Sequence, residues 1–185
     1  MNDEEAIQRL KKGDIRGMDA LVLMHQDKAL RTAFLITRDD DSAKDAVQEA
    51  FLRIYQRIRY FDETRPFEPY LLRSVVNTAI NMAQKKQREV PLSDEVGKVE
   101  IENLITKATL TEDQVEYAQL KEQILAALDQ LPLRERAVIV ERYYLGMSEK
   151  EMAGRHEVAT GTVKWLLYSA RQKLRSMIGT EDDPS

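Results

Sequence analysis

The chain has 185 residues, 43% of them hydrophobic and 32% charged, with a formal net charge of −4, which suits one large or two small soluble domains with solvated helix faces. The absence of cysteine excludes disulfide staples and thiolate zinc sites, and 7 scattered glycines leave no Gly-rich phosphate loop. The opening MNDEEAIQRL is acidic where a signal peptide needs a basic and then an apolar run, and no later stretch is apolar enough to span a bilayer; no membrane insertion and a cytoplasmic location are expected.

Residues 3–12 predict a short first helix broken near Gly13. Residues 14–37 predict a second, in which Met18, Leu21, Val22, Met24, Leu30, Phe34 and Leu35 recur and an interruption is expected near Gly17. Asp39, Asp40 and Asp41 mark a turn, and Ser42 with Asp45 is expected to cap a helix that runs to about residue 60. Its inward side is Ala43, Val47, Ala50, Phe51, Ile54 and Ile58. Asp45, Glu49, Leu52 and Gln56 lie opposite, with Gln48 and Arg59 beside them, so Leu52 stands outward among acids and amides. Single exposed leucines are common; the functional reading is a docking patch with an apolar centre and a polar rim.

A loop over residues 62–66 contains Thr64, Arg65 and Pro66, and residues 67–88 predict a long helix after it. That helix is expected to bury Leu71, Val75, Ala79 and Met82 and to show Tyr70, Arg73, Asn77, Asn81, Gln84 and Arg88, with Lys85 and Lys86 near its end. No carboxylate interrupts it between Glu68 and Glu89. A merely solvated face more often mixes both signs, whereas a basic stripe interleaved with amides and led by an aromatic suits a nucleic-acid backbone with unstacked bases.

Pro91 closes a first domain over residues 1–90, and the charged, weakly periodic residues 91–111 read as an acidic flexible linker. Asp94, Glu95, Glu100, Glu102, Glu112, Asp113 and Glu116 concentrate much of the negative charge in and beside it, leaving a basic island on either side. The acidic total is therefore compatible with binding a polyanion.

A second domain is expected over residues 112–179. Its first helix runs to about residue 130, Pro132 places the next start, and Ser148 with Glu151 has the form of a capping box for a helix with little room before Glu157. Thr160 starts the last helix. At about 100° per residue, Val163, Leu166, Leu167, Ala170, Leu174 and Met177 fall inward, and Gly161, Trp165, Tyr168, Gln172 and Arg175 fall outward, flanked by Thr162, Lys164, Ser169 and Arg171. Between Val158 and Gly179 the charged residues are Lys164, Arg171, Lys173 and Arg175, all basic. A short helix, a tight turn and a helix with a basic, polar face have the geometry of a helix-turn-helix. An ordinary amphipathic terminal helix would also explain the charges, yet not the outward placement of the single Trp. Residues 180–185 are expected to be a disordered tail. With no convincing strand pattern, the expected fold class is all-α: two small helical domains joined by a linker.

These residues resemble regions 2 and 4 of the extracytoplasmic-function (ECF, group 4) sigma factors of bacterial RNA polymerase, in the sigma-70 family. The region 2 resemblance is carried by the run DAVQEAFLR from Asp45, then Tyr60-Phe61-Asp62, then Arg65-Pro66-Phe67 through Leu71. Leu128 to Leu131 with Pro132, Gly146-Met147-Ser148, Gly161-Thr162-Val163-Lys164, and Ala170-Arg171 to Leu174-Arg175 resemble region 4. The resemblance implies a non-enzymatic, dissociable subunit, without cofactor or metal, that directs core RNA polymerase to promoter DNA. By it, Asp45, Gln48, Glu49, Leu52 and Gln56 would dock on the clamp of the largest subunit. Phe61, Asp62, Thr64 and Arg65 would capture an unstacked base of the −10 element, while Tyr70, Arg73, Asn77, Lys85 and Arg88 hold its strand. Ser148, Thr160, Thr162, Lys164, Trp165, Tyr168, Ser169 and Arg171 would read the −35 element. An anti-sigma factor would mask these surfaces. The sequence departs from the family pattern at Tyr70, where Trp is usual, and at Trp165, Leu166 and Ser169, where small or basic residues are common.

Other classes fit less of the chain. His25 and His156 are far apart and in no metal-ligand spacing, which leaves an enzyme without candidate groups. An operator-binding helix-turn-helix regulator would account for the second domain and leave Leu52 and the stripe around Arg73 without a role. A sigma-like interaction protein with a decayed DNA surface would account for Trp165 and Leu166.

Overall fold

A computed structural model describes residues 1–89 and 113–178, without the side chains of residues 89 and 113–117. The expected linker, residues 91–111, and the tail, residues 180–185, lie outside the described residues. The chain divides into two compact units, Met1–Ile105 and Thr106–Ser185. Among the described residues all regular structure is helical.

In the first unit, α1 (Asp3–Lys11) packs on α2 (Arg16–Thr37), and α2, α3 (Asp40–Arg57) and α4 (Phe67–Glu89) pack on one another, with a 3₁₀ turn (Ile58–Tyr60) after α3. Asn2 caps α1, its Oδ1 accepting from the Glu5 amide at 2.9 Å. The expected break at Gly17 does not occur. Gly17 sits inside α2, and a Cβ there would lie 2.3 Å from the Ala6 carbonyl oxygen, so this glycine serves the close crossing of α1 over α2. The expected cap of α3 is also displaced. Asp39 is the N-cap, its carboxylate accepting from the Ser42 amide at 2.8 Å, so Ser42 lies within the first turn. A charged acceptor at a helix N-terminus is favoured there by the unpaired amides and the dipole.

The centre is filled by Leu21, Phe34 and Ile36 of α2, Val47, Ala50, Phe51 and Ile54 of α3, and Leu71, Val75 and Val76 of α4. At about 2 kcal/mol per large buried apolar side chain, against about 1 for a cap, this burial decides the fold and the caps trim its edges. Met82, expected inside, is only half-buried. The buried hydroxyls of Thr32 and Thr78 donate back to the carbonyls of Lys28 and Ser74, at 2.7 and 2.9 Å.

The second unit is α5 (Asp113–Gln130), α6 (Leu133–Ile139) continued by a π turn (Val140–Tyr144), α7 (Glu149–His156) and α8 (Thr160–Ile178). Here α8 packs on α5, α6 and α7. The capping box at Ser148 and Glu151 is present with both of its hydrogen bonds. Glu157 ends α7 in the left-handed region, at φ 54°. Val163, Leu167 and Ala170 of α8 are buried; Leu166 and Leu174 are half-buried, and Met177, expected inside, is 43% exposed, while the neighbouring Ile178 takes the half-buried place beside Ile139.

Among the described residues, the buried carboxylates belong to this unit. Glu141 is fully buried; it pairs with Arg155, and its Oε2 lies 2.7 Å from His156 Nε2. Glu135, 5% exposed, accepts from Lys173 Nζ at 2.8 and 2.9 Å and from the Ser169 hydroxyl at 3.0 Å. These pairs tie the π turn to the end of α7 and α6 to α8.

Candidate nucleic-acid and protein interfaces

On α3, Asp45, Gln48, Leu52 and Gln56 are exposed and Glu49 is half-buried, paired with Arg53 one turn on. Leu52 is 53% exposed, and Tyr55, three residues further, is 45% exposed. The apolar centre of this face is thus a pair, wider than the single leucine the spacing suggested. The signal that could have found Tyr55 is its i,i+3 relation to Leu52.

The loop after the 3₁₀ turn is shaped from within. Asp62 Oδ1 accepts from the Thr64 amide at 3.1 Å and its hydroxyl at 2.7 Å, and Arg65 Nε reaches Asp62 Oδ2 at 3.3 Å. The bonds from Thr64 hold the Asp62 carboxyl below its ordinary value. Thr64, Arg65 and Pro66 are exposed at its tip. Phe61 is not: it is 7% exposed, its ring 5.8 Å from that of Phe67, near edge-on, and 4.9 Å from that of Tyr70. Phe61, expected among the loop residues that capture a base, turns its ring inward, where it seats the loop on Phe67 and Tyr70. Tyr60, next to it, is 90% exposed and offers the open aromatic face that Phe61 does not.

Along α4, Arg73, Asn77, Asn81, Lys85 and Arg88 are exposed, and Tyr70 is half-buried at the head of the stripe. Lys86 turns aside to Asp39, Nζ to Oδ1 at 2.6 Å. Burial pushes the Asp39 carboxyl up, but Lys86 and the Ser42 bonds outweigh it and leave the group below its ordinary value.

On α8, Thr160, Thr162, Lys164, Trp165, Tyr168 and Arg171 are exposed, with Trp165 and Tyr168 at 62 and 58%. Two expected contact residues are otherwise engaged. Ser169 is half-buried on Glu135, and the Ser148 hydroxyl donates to Glu151 Oε2 at 2.7 Å while accepting from the Glu151 amide. The basic run is thinner than the sequence suggests. Lys173 is held by Glu135, and Glu149 stands 3.9 Å from Lys164. What projects is an aromatic and polar ridge flanked by Lys164 and Arg171. Tyr143, 61% exposed, adds a further aromatic beside Arg171 and Arg175. Among the described residues no cluster of His, Asp and Glu is arranged to hold a metal, and no helix is long and apolar enough to cross a membrane.

The family models for Sigma-70 region 2 and Sigma-70 region 4 match residues 21–89 and 121–174. The ECF RNA polymerase sigma factor SigW of Bacillus subtilis is 30% identical over 95% of this chain and 96% of its own length. The chain belongs to the ECF sigma factors of the sigma-70 family. The RNA polymerase sigma-H factor of Pseudomonas aeruginosa is 30% identical over 93% of this chain and 91% of its own. The ECF RNA polymerase sigma-E factor of Escherichia coli K12 is 29% identical over 96 and 95%. Two solved structures are similar in fold. CnrH, in complex with the cytosolic domain of CnrY, has a TM-score of 0.61 at 20% identity, covering 97% of this chain and 99% of that one. The sigma factor RpoE in complex with the anti-sigma factor NepR, from Bartonella quintana, has 0.64 at 18%, covering 89 and 98%. In this sigma factor the region 2 match begins after α1, so α1 and its contacts are outside it.

Proposed function

We propose that this ECF sigma factor works in the cytoplasm by docking on core RNA polymerase through α3 and reading promoter DNA through α4, its preceding loop and α8. The observation that carries this division is that α3 and α4 of one small bundle expose faces of different chemistry. One is apolar at Leu52 and Tyr55 among acids and amides, and the other exposes Arg73, Asn77, Lys85 and Arg88 with no carboxylate between Glu68 and Glu89. An apolar centre with a polar rim is suited to a protein, a carboxylate-free basic stripe to phosphates.

In this reading Asp45, Gln48, Glu49, Leu52, Tyr55 and Gln56 meet the clamp of the largest subunit. Tyr60, Asp62, Thr64 and Arg65 surround an unstacked −10 base, and Tyr70, Arg73, Asn77, Lys85 and Arg88 hold its strand. Thr160, Thr162, Lys164, Trp165, Tyr168 and Arg171 enter the −35 major groove, where an exposed Trp and Tyr contribute apolar contact and the flanking cations meet phosphates. An anti-sigma factor covers the same faces; the relatives solved with CnrY and with the anti-sigma factor NepR support that part.

The test is capture of core polymerase by the full chain. Wild type should retain it, and Leu52→Asp should lose it while keeping its helical circular dichroism. Retention by the variant removes the docking assignment. An operator-binding regulator would instead shift duplex DNA tightly with no polymerase present and would not need Leu52.

A further inference from the structure

Two side chains of α1 reach across to the loop that precedes α4. Lys11 Nζ donates to the Phe61 carbonyl at 2.8 Å and also pairs with Glu63 Oε1, while Gln8 Nε2 donates to Glu63 Oε2. Lys11 and Glu63 are partly shielded, with side chains 21 and 29% exposed. The bond from Lys11 holds the Glu63 carboxyl below its ordinary value against burial, which pushes it up. Lys11 is the last residue of α1, where a cation is favoured by the helix dipole.

The platform carrying these groups is fixed. Ala6, Ile7 and Leu10 are buried, Gly17 admits the close crossing of α2, and Asp3 Oδ1 lies 2.7 Å from Nε2 of the buried His25. The bonds among Asp62, Thr64 and Arg65 shape the loop tip but do not attach it to the bundle. Attachment comes from the Phe61 ring on one side and from α1 on the other.

We propose that α1 is a clamp for this loop, with Lys11 as a positioning residue seconded by Gln8, so that the tip meets an unstacked promoter base already ordered. This rests on the reading of the loop as a −10 contact. Ordering the tip before DNA arrives removes that cost from the binding step. A single partly shielded ion pair between the end of a helix and a loop adds little to global stability, and its consequence falls on the placement of the loop.

The experiment uses the full chain with core polymerase and a promoter fragment obtained by run-off transcription of genomic DNA, together with copies in which each −10 base is replaced in turn. The readout is the ratio of open-complex rates on the original and replaced fragments, beside affinity for core. Lys11→Glu should lower the best discrimination ratio about tenfold, the scale of one lost charge-assisted hydrogen bond, with core affinity unchanged. Lys11→Arg should keep the ratio, and Lys11→Glu with Glu63→Lys should recover part of it.

An unchanged ratio in Lys11→Glu overturns the clamp, as does a parallel fall in core affinity, which would mark a general loss of structure. Asp62→Ala and Thr64→Ala separate the levels. If they lower the ratio and Lys11→Glu does not, the clamp alone fails; if none of them lowers it, the −10 reading of the loop fails with it.

Discussion

The two units begin from the same kind of sequence, a long helix with cations and no acids on its outward side, and arrive at different surfaces. Along α4 Arg73, Lys85 and Arg88 stay exposed beside Asn77 and Asn81, and acids from α3 gather at one end, where Asp39 takes Lys86 and Asp45 and Glu49 line the same hollow as Lys85. Along α8 carboxylates arrive from two other helices: Glu135 takes Lys173, and Glu149 approaches Lys164. A charge pattern within one helix therefore does not by itself describe a surface, because neighbouring helices bring their own charges to it. The first unit buries hydroxyls and a histidine, the second buries Glu135 and Glu141.

The sharpest way to break this contrast is at Glu141. Glu141→Ala leaves Arg155, whose side chain is 7% exposed, without its carboxylate, and removing one partner of a buried pair costs about 3–5 kcal/mol. Urea unfolding read by fluorescence of Trp165, the single Trp of the chain and a residue of the second unit, should move to much lower denaturant. A midpoint within error of wild type would mean that the pair is dispensable. Next in size is Leu52→Asp, which places a charge at the apolar centre of α3 and should weaken core binding by about 30-fold or more, the loss typical of an interface anchor, in a titration with labelled core.

Salt dependence then distinguishes the cations on α8. Arg171→Ala should reduce the slope of log affinity against log salt for promoter complexes by about 0.9, one phosphate contact on duplex DNA. Lys173→Ala should leave that slope alone, because Lys173 already serves Glu135, and should instead lower the unfolding midpoint. The reverse assignment would overturn the account of this helix.

The smallest effect is in acid. Asp39 is held below its ordinary 3.8, so its contribution to folding is complete above that value and is lost as pH falls through the lowered folded value. Asp39→Asn keeps a capping side chain but loses the ion pair to Lys86, and should cost under about 1 kcal/mol at neutral pH. It should also flatten the fall in stability below pH about 4 in circular dichroism titrations.

These cases explain what could be read before the fold was known. The capping box at Ser148, the inward faces of α3 and the outward Trp165 are local, set by residues within a turn or two of each other, and period alone locates them. Ser169 could not be placed this way, because its partner Glu135 is 34 residues away. Nor could Phe61, whose spacing fits a loop tip as well as a loop anchor until Phe67 and Tyr70 are packed against it. The α3 cap was missed because Asp39 and Ser42 are both good caps, and only the backbone at Asp39, extended at φ −149°, decides between them. By propensity Gly17 favours a break, whereas the crossing of α1 requires a glycine there.

The central claim, promoter-specific initiation through separate protein and DNA faces, is tested most directly by run-off transcription with purified core polymerase and fragmented genomic DNA. Discrete transcripts should appear only when the chain is added, and Leu52→Asp should abolish them. Transcripts that do not depend on the chain, or tight binding of duplex DNA by the chain alone with no discrete product, would contradict it.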